Sequence, residues 1–319
     1  MDRSASHDQR SRVIRRAGLF LVALFGVALI APILAPYQPG EAFRDFINAP
    51  PMRPHLSGLT PSFHPLVLAD RLESRFETDV TRSVPSPWVS QDAATPVFLM
   101  GADDFGRDIF SRLLYGARTS LGLALVAMLG AVAIGATAGA WAGYQGGWMD
   151  DAIMRTADFV LVLPVIYVVV VLRAVLPLVL PASTVFLLVT GIFILVGWPF
   201  VAKGVRAIVA GERSREYVQA AESLGAGRWR ILMVHLIPAC GGHLLVQATL
   251  LLPAFILAEA TLSFIGLGFP DPIASWGTML SGAANYNSVA RFPWTLAPAV
   301  AIFIVVLATN LIASPRERH

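Results

Sequence analysis

Arg173, His243, Gln247 and Glu259 stand inside otherwise apolar runs of this chain. An ionisable side chain in hydrocarbon is expensive, so it marks a solute path or an ion pair by default. His243 and Gln247 are four residues apart, on one face of a helix. Both can face a polar cavity, although a helix–helix hydrogen bond is the commoner use of such residues. Glu259 falls near the end of its run, where it can face a translocation cavity, seal a gate or hold a structural ion pair. Arg173 lies about one turn inside a helix end. Arginines there usually snorkel to the interface, and lining a path is the alternative. The chemistry open to this set is recognition and passage of a polar solute.

Covalent chemistry has little to stand on. The chain contains no G-x-x-x-x-G-K-[S/T], H-E-x-x-H or G-x-S-x-G. It is therefore expected to bind no ATP itself. His7, His55, His64, His235, His243 and His319 are scattered, and Cys240 is the single cysteine, so neither a metal site nor a disulfide is expected. The net charge of +3 is small and does not argue for nucleic acid.

Hydrophobic residues make up 55% of the 319 and charged residues 14%, against about 25% charged in a soluble domain. Apolar runs at 17–36, 120–141, 156–178, 183–202, 240–262 and 293–313 are each long enough to cross about 30 Å of hydrocarbon as a helix. Six membrane helices place both termini on one side. The first run is too long for a cleavable signal peptide. Basic residues cluster in the tail (Arg3, Arg10, Arg12, Arg15, Arg16) and between helices four and five (Lys203, Arg206, Arg213, Arg215, Arg228, Arg230), which predicts a cytoplasmic N-terminus. The expected divisions are a tail and first helix over 1–36, a Pro-rich outer loop over 37–112, a core over 113–313 and a short tail over 314–319.

The polar segment over 203–238 is longer than a turn requires. Good helix formers run from Arg215 to Leu224, Ser214 is a suitable N-cap, and Gly225 stands where a left-handed C-terminal residue belongs. A second helix is expected over Arg228–Leu236, with Pro238 opening the fifth membrane helix. Ala220 and Ala221 would let another protein approach closely. An amphipathic helix lying on the inner leaflet is the plainer reading. Asp150, Asp151 and Arg155 are expected to form a local charge cluster.

The spacing Ala220-Ala221-x3-Gly225-x9-His235-x-Ile237-Pro238 resembles the EAA loop of ABC importer permeases of the dipeptide/oligopeptide/nickel type, second-permease branch. Gln219 stands where the family often has Glu. The segments Gly101-Ala102-Asp103-Asp104-Phe105-Gly106-Arg107-Asp108, Ala142-Gly143-Tyr144-x-Gly146-Gly147-x-x-Asp150 and Ser275-Trp276-Gly277 resemble its other signatures. The first reads as leading into an amphipathic surface helix that ends at a tight Gly116 entry to the membrane. The resemblance implies an all-α polytopic membrane protein with six transmembrane helices, type I ABC importer permease-like, in the bacterial inner membrane. It implies a coupling surface made by Glu216, Tyr217, Gln219, Ala220, Ala221, Glu222, Leu224, Gly225, Arg228 and Pro238. It implies partners as well: two ATP-binding domains that carry ATP and Mg, a homologous second permease, an extracytoplasmic substrate-binding protein and membrane lipid. Peptides are the implied cargo, nickel or another small solute the alternative.

Two features depart from that family. The tail Ser314–His319 lacks the usual Gly-Asp-x-Leu-Arg-Asp-like sequence, and Pro39–Pro96 is long for an outer loop. The loop suits an ordered cap or docking surface, or equally a loosely packed insertion. A secondary transporter would place acidic residues near the midplane, and helices one, two and six carry none.

Overall fold

The computed structural model describes residues 3–52, 54–59, 65–72, 78–85, 96–164, 167–171, 181–284 and 286–313. Helix α1 (Arg3–Leu29) and one turn of α2 (Ala31–Leu34) carry the first apolar run, with Pro32 admitted at the start of the turn where no N–H is needed. The loop that follows contains an antiparallel meander of β1 (Pro54–Leu59), β2 (Pro65–Leu72) and β3 (Thr78–Pro85). The membrane helices are accompanied, then, by a small sheet at the place where either an ordered cap or a loose insertion was expected.

After the sheet come α3 (Ile109–Gln145) and α4 (Gly147–Val162), joined by Gly146 and Gly147, both at positive φ. Next are α5 (Ala182–Glu212), α6 (Glu216–Ser223), α7 (Arg228–Ile231) and α8 (Ile237–Ala239). Then follow α9 (Gly241–Phe264), α10 (Trp276–Gly282), α11 (Tyr286–Arg291) and α12 (Ala297–Ala313). Among the described residues, Ile109–Gln145, Ala182–Glu212, Gly241–Phe264 and Pro293–Ile312 are long and apolar enough to cross a membrane.

The structure corrects two sequence expectations. No surface helix ends at Gly116: α3 runs unbroken through it. Gly116 is needed for close approach, because a Cβ there would lie 3.0 Å from Cδ1 of Trp276. The third apolar run is not one helix over 156–178 either, since α4 stops at Val162. Pro164 explains the stop: its ring forces the preceding residue out of the helical region, and Leu163 is extended at ψ 120°. A further helical turn covers 167–171. Arg173 and the tail 314–319 lie outside the described residues.

The chain forms two compact units, one built on Gly122–Glu259 and the other on Phe20–Leu121 and Ala260–Ile304. In the first, α3 and α5 meet along a stripe of glycines. A Cβ at Gly135 would fall 2.6 Å from the carbonyl oxygen of Trp198, one at Gly139 2.9 Å from Cα of Ala202, and one at Gly143 2.6 Å from the carbonyl oxygen of Arg206. Lipid offers no hydrophobic drive for helix association, so van der Waals contact between closely approaching backbones must supply it. Helix α4 packs on α5 through Ala157, Trp198 and Ala202.

In the second unit, the segments flanking the sheet clasp each other. Phe43 N donates to the Gly106 carbonyl, Met52 N to Phe98 and Ala102 N to Ala49, at 2.8–2.9 Å. The rings of Tyr37, Phe43 and Phe98 fill the clasp, edge to face at 5.0 Å and 5.6 Å for the pairs made by Phe43. Trp276 is buried, donating its Nε1 to the Leu113 carbonyl at 3.1 Å and its main-chain N to Ser120 Oγ at 3.1 Å.

Candidate functional site

Helix α6 is short, and two devices fix its ends. Glu216 places a carboxylate in the first turn, where the helix dipole favours negative charge. At the other end Ala226 N donates to Ala221 and Gly225 N to Glu222, with Gly225 at φ 79°. This is the Schellman arrangement, and it needs the left-handed residue that glycine supplies without strain. The N-terminal residue before the helix is Arg215, extended at ψ 146° and without a side-chain cap, so the expected Ser214 cap is not made. Ser214 lies one residue before the N-cap position, which Arg215 takes, and its Oγ donates back to the Gly211 carbonyl at 3.2 Å.

One residue anchors the middle of α6: Val218 is 0% exposed. Its neighbours Glu216, Tyr217, Gln219, Ala220, Ser223 and Gly225 are exposed, and Ala221 is half-buried. Leu224, at 87% exposure, and Trp229, at 61%, add large apolar surface beside the helix. Polar side chains brace the loop: Tyr217 donates its hydroxyl to Glu212 Oε2 at 2.8 Å, and Gln219 its amide to the Ser214 carbonyl at 3.2 Å. Burial, followed by the hydrogen bond to Glu212, pushes the Tyr217 hydroxyl pKa up. Tyr144, near the end of α3, donates its hydroxyl to Glu222 at 2.8 Å, and Arg213 lies over the Tyr144 ring at 5.5 Å.

Arg228 opens α7, exposed, and Ile231, Leu232 and Leu236 are buried behind it. The expected single helix over Arg228–Leu236 is instead one α-turn followed by a π-turn at Leu232–Leu236. Pro238 does not open the long membrane helix. It sits in the one-turn α8, which ends at Ala239, with Cys240 between it and the start of α9 at Gly241. A proline has no N–H to offer the preceding turn, and the widened turn lies just before it.

Residues 135–314 match the family described as binding-protein-dependent transport system inner membrane component. The chain belongs to this family. It is 33% identical over 294 residues to the di/tripeptide transport system permease protein DppC of Pseudomonas aeruginosa, covering 92% of this chain and 82% of that protein. To the dipeptide transport system permease protein DppC of Haemophilus influenzae it is 30% identical over 293 residues, 92% of this chain and 84% of the relative. To the oligopeptide transport system permease protein OppC of Bacillus subtilis it is 38% identical over 213 residues, 66% of this chain and 67% of the relative. The chain is therefore a DppC/OppC-like ABC permease and a multi-pass membrane protein.

In this permease, α4 is held against α5 by groups far away in sequence. Arg206 of α5 donates its Nε to both carboxylate oxygens of Asp150, at 3.0 and 3.1 Å, and Asp150 is buried at the start of α4. Lys203 pairs with one carboxylate oxygen of Asp158 of α4, both side chains being exposed. Asp150 was expected to join Asp151 and Arg155. The structure pairs it with Arg206 because α4 packs on α5, whereas residues five apart on one helix face different directions. The sequence reading missed the Arg206–Asp150 and Tyr144–Glu222 contacts. Its only signal was the motif that contains Tyr144 and Asp150, which names one partner of each pair.

The expected path residues are less gathered. His243 is half-buried on α9 with its ring packed on Gly204 of α5: a Cβ at Gly204 would fall 3.0 Å from the ring's Cδ2. Gln247, one turn on, is half-buried, and Glu259 is 1% exposed. None of the three lines the polar cavity of about 350 Å³ in the other unit, whose walls include Asp103, Asp104, Arg107, Arg112, Asp271 and Thr278. Burial raises the Asp104 carboxyl pKa there, and neighbouring Asp103 adds to it.

Proposed function

We propose that this chain is the translocating subunit of an ATP-driven peptide importer in a bacterial inner membrane, with its N-terminus in the cytoplasm. The observation that carries the reading is α6: exposed over most of its surface, capped at Gly225, anchored at Val218 and flanked by the exposed Leu224 and Trp229. Such a helix is rigid and offers a mixed polar and apolar surface to a partner. The partner is an ATP-binding subunit, which carries the ATP and Mg, so this chain itself makes and breaks no covalent bond. A second, homologous permease and an extracytoplasmic substrate-binding protein complete the assembly. Peptides are the cargo, in line with the peptide transport systems to which the relatives belong.

ATP-driven closure of the partner pulls α6, and the helices fixed to it follow as a body. His243, Gln247 and Glu259 are the described candidates for contact with the passing solute. The test is a pull-down of tagged chain from mild detergent, comparing wild type with Gly225→Asp. Co-purification of an ATP-binding subunit with wild type, lost or uncoupled in the variant, supports the reading. Wild type that purifies without such a subunit and still moves solute in liposomes overturns it.

A further inference from the structure

Val218 and Glu222 are four residues apart and so share one face of α6. Val218 is fully buried, and Glu222 accepts the Tyr144 hydroxyl from α3 at 2.8 Å. The helix therefore has an apolar anchor at Val218 and a polar one at Glu222, which is itself exposed, as are Gln219, Ala220, Ser223 and Leu224. A turn at Arg213–Ser214 precedes α6, and Gly225 and Gly227 follow it. Tyr217 and Gln219 tie α6 to Glu212 and Ser214 in the chain just before it, whereas the Tyr144 hydroxyl ties it to α3. Its second anchor lies next to Gly143, where α3 already touches the Arg206 main chain of α5, and Arg206 in turn holds Asp150 of α4. Arg213, over the Tyr144 ring, steadies the same tyrosine.

We infer that the Tyr144–Glu222 hydrogen bond is the strut that converts a push on α6 into movement of α3, α4 and α5, so that Tyr144 is a positioning residue for coupling. The inference rests on the proposed docking of α6 to an ATP-binding subunit. Without the strut, docking and ATP hydrolysis persist but fewer molecules of cargo cross per ATP.

The experiment measures peptide moved per ATP hydrolysed by the whole assembly in proteoliposomes, alongside co-purification of the ATP-binding subunit. Tyr144→Phe keeps the ring and removes only the hydroxyl. It is expected to co-purify and hydrolyse ATP as wild type does, yet lower the ratio about fivefold, the value of one hydrogen bond. Glu222→Ala should match it, and the double variant should be no worse than either single change, since both remove one interaction. Glu222→Gln keeps an acceptor oxygen and should stay near wild type, which a purely charge-based or docking role would not allow. A wild-type ratio in Tyr144→Phe, effects that multiply in the double variant, or loss of the ATP-binding subunit from Tyr144→Phe would each overturn the strut. Wild type that fails to retain the subunit overturns the docking reading instead, and the strut with it.

Discussion

Gly143 of α3 lies against the main chain of Arg206 of α5, so close that a single added carbon would stand 2.6 Å from its carbonyl oxygen. The side chain of the same Arg206 pairs with Asp150 of α4. One residue of α5 thus touches α3 with its backbone and α4 with its guanidinium.

Substitutions along the glycine stripe should separate by geometry. Gly139→Val must push Ala202 and its backbone aside, and overpacking of this kind costs about 1–3 kcal/mol or more. Gly122 in the same helix has nothing within 4 Å of its Cβ position, so Gly122→Ala should be neutral or slightly stabilising. Thermal unfolding midpoints of the purified protein check the pair. Equal midpoints would mean that α3 and α5 do not meet in this way.

Gly225→Ala places a Cβ on a residue at φ 79°, which costs about 1 kcal/mol and opens the end of α6. The exposed Arg228 and Arg230 lie just beyond, within reach of trypsin. Cleavage there should be about fivefold faster in the variant, in proportion to the open population. Unchanged cleavage would show that the cap does not hold the loop.

Asp108 precedes α3, is 2% exposed, and accepts Ser111 N at 2.8 Å and Ser111 Oγ at 2.6 Å. Burial raises its pKa from 3.8 to about 6, outweighing the hydrogen bonds from Ser111 and Phe110 that lower it. The folded state therefore holds this proton more tightly than the unfolded chain. The stability it contributes is fully present below pH 3.8 and is lost as pH rises to about 6, a loss on the order of 3 kcal/mol. Asp108→Asn keeps the capping oxygen and cannot ionise. The difference in midpoint between variant and wild type should grow from pH 4 to pH 6 and then level off; a constant difference would rule out this titration.

Arg206→Ala leaves the buried Asp150 carboxylate without its partner and should cost about 1–2 kcal/mol, read as a lower unfolding midpoint. Asp150→Asn added to it should recover part of the loss, because the uncompensated charge is gone. No recovery would mean that Arg206 acts through packing alone.

Several parts of this permease are legible in the sequence because their cause is local. Apolar length alone locates α5, α9 and α12, and the need for a left-handed residue locates Gly225 at the end of α6. The same local reasoning misses by one residue at the start of α6: Ser214 is a good cap type, yet Arg215 takes the N-cap position. It also fails at Pro164, whose effect on Leu163 ends α4 inside an apolar run that length alone would continue.

What only the tertiary structure decided is which distant residues meet. The sequence shows glycines at 135, 139 and 143 but not that α5 lies on them. It shows Tyr144 and Glu222, which are 78 residues apart, and Asp150 and Arg206, which are 56 apart, but not that each makes a pair. Hydropathy and helix signals act over one or two turns of chain and are fixed by the residues themselves. Partners across helices are selected by the packing of whole elements, and many pairings of six apolar segments satisfy the same pattern. Contact between particular backbones removes that degeneracy, here at Gly143 and Arg206.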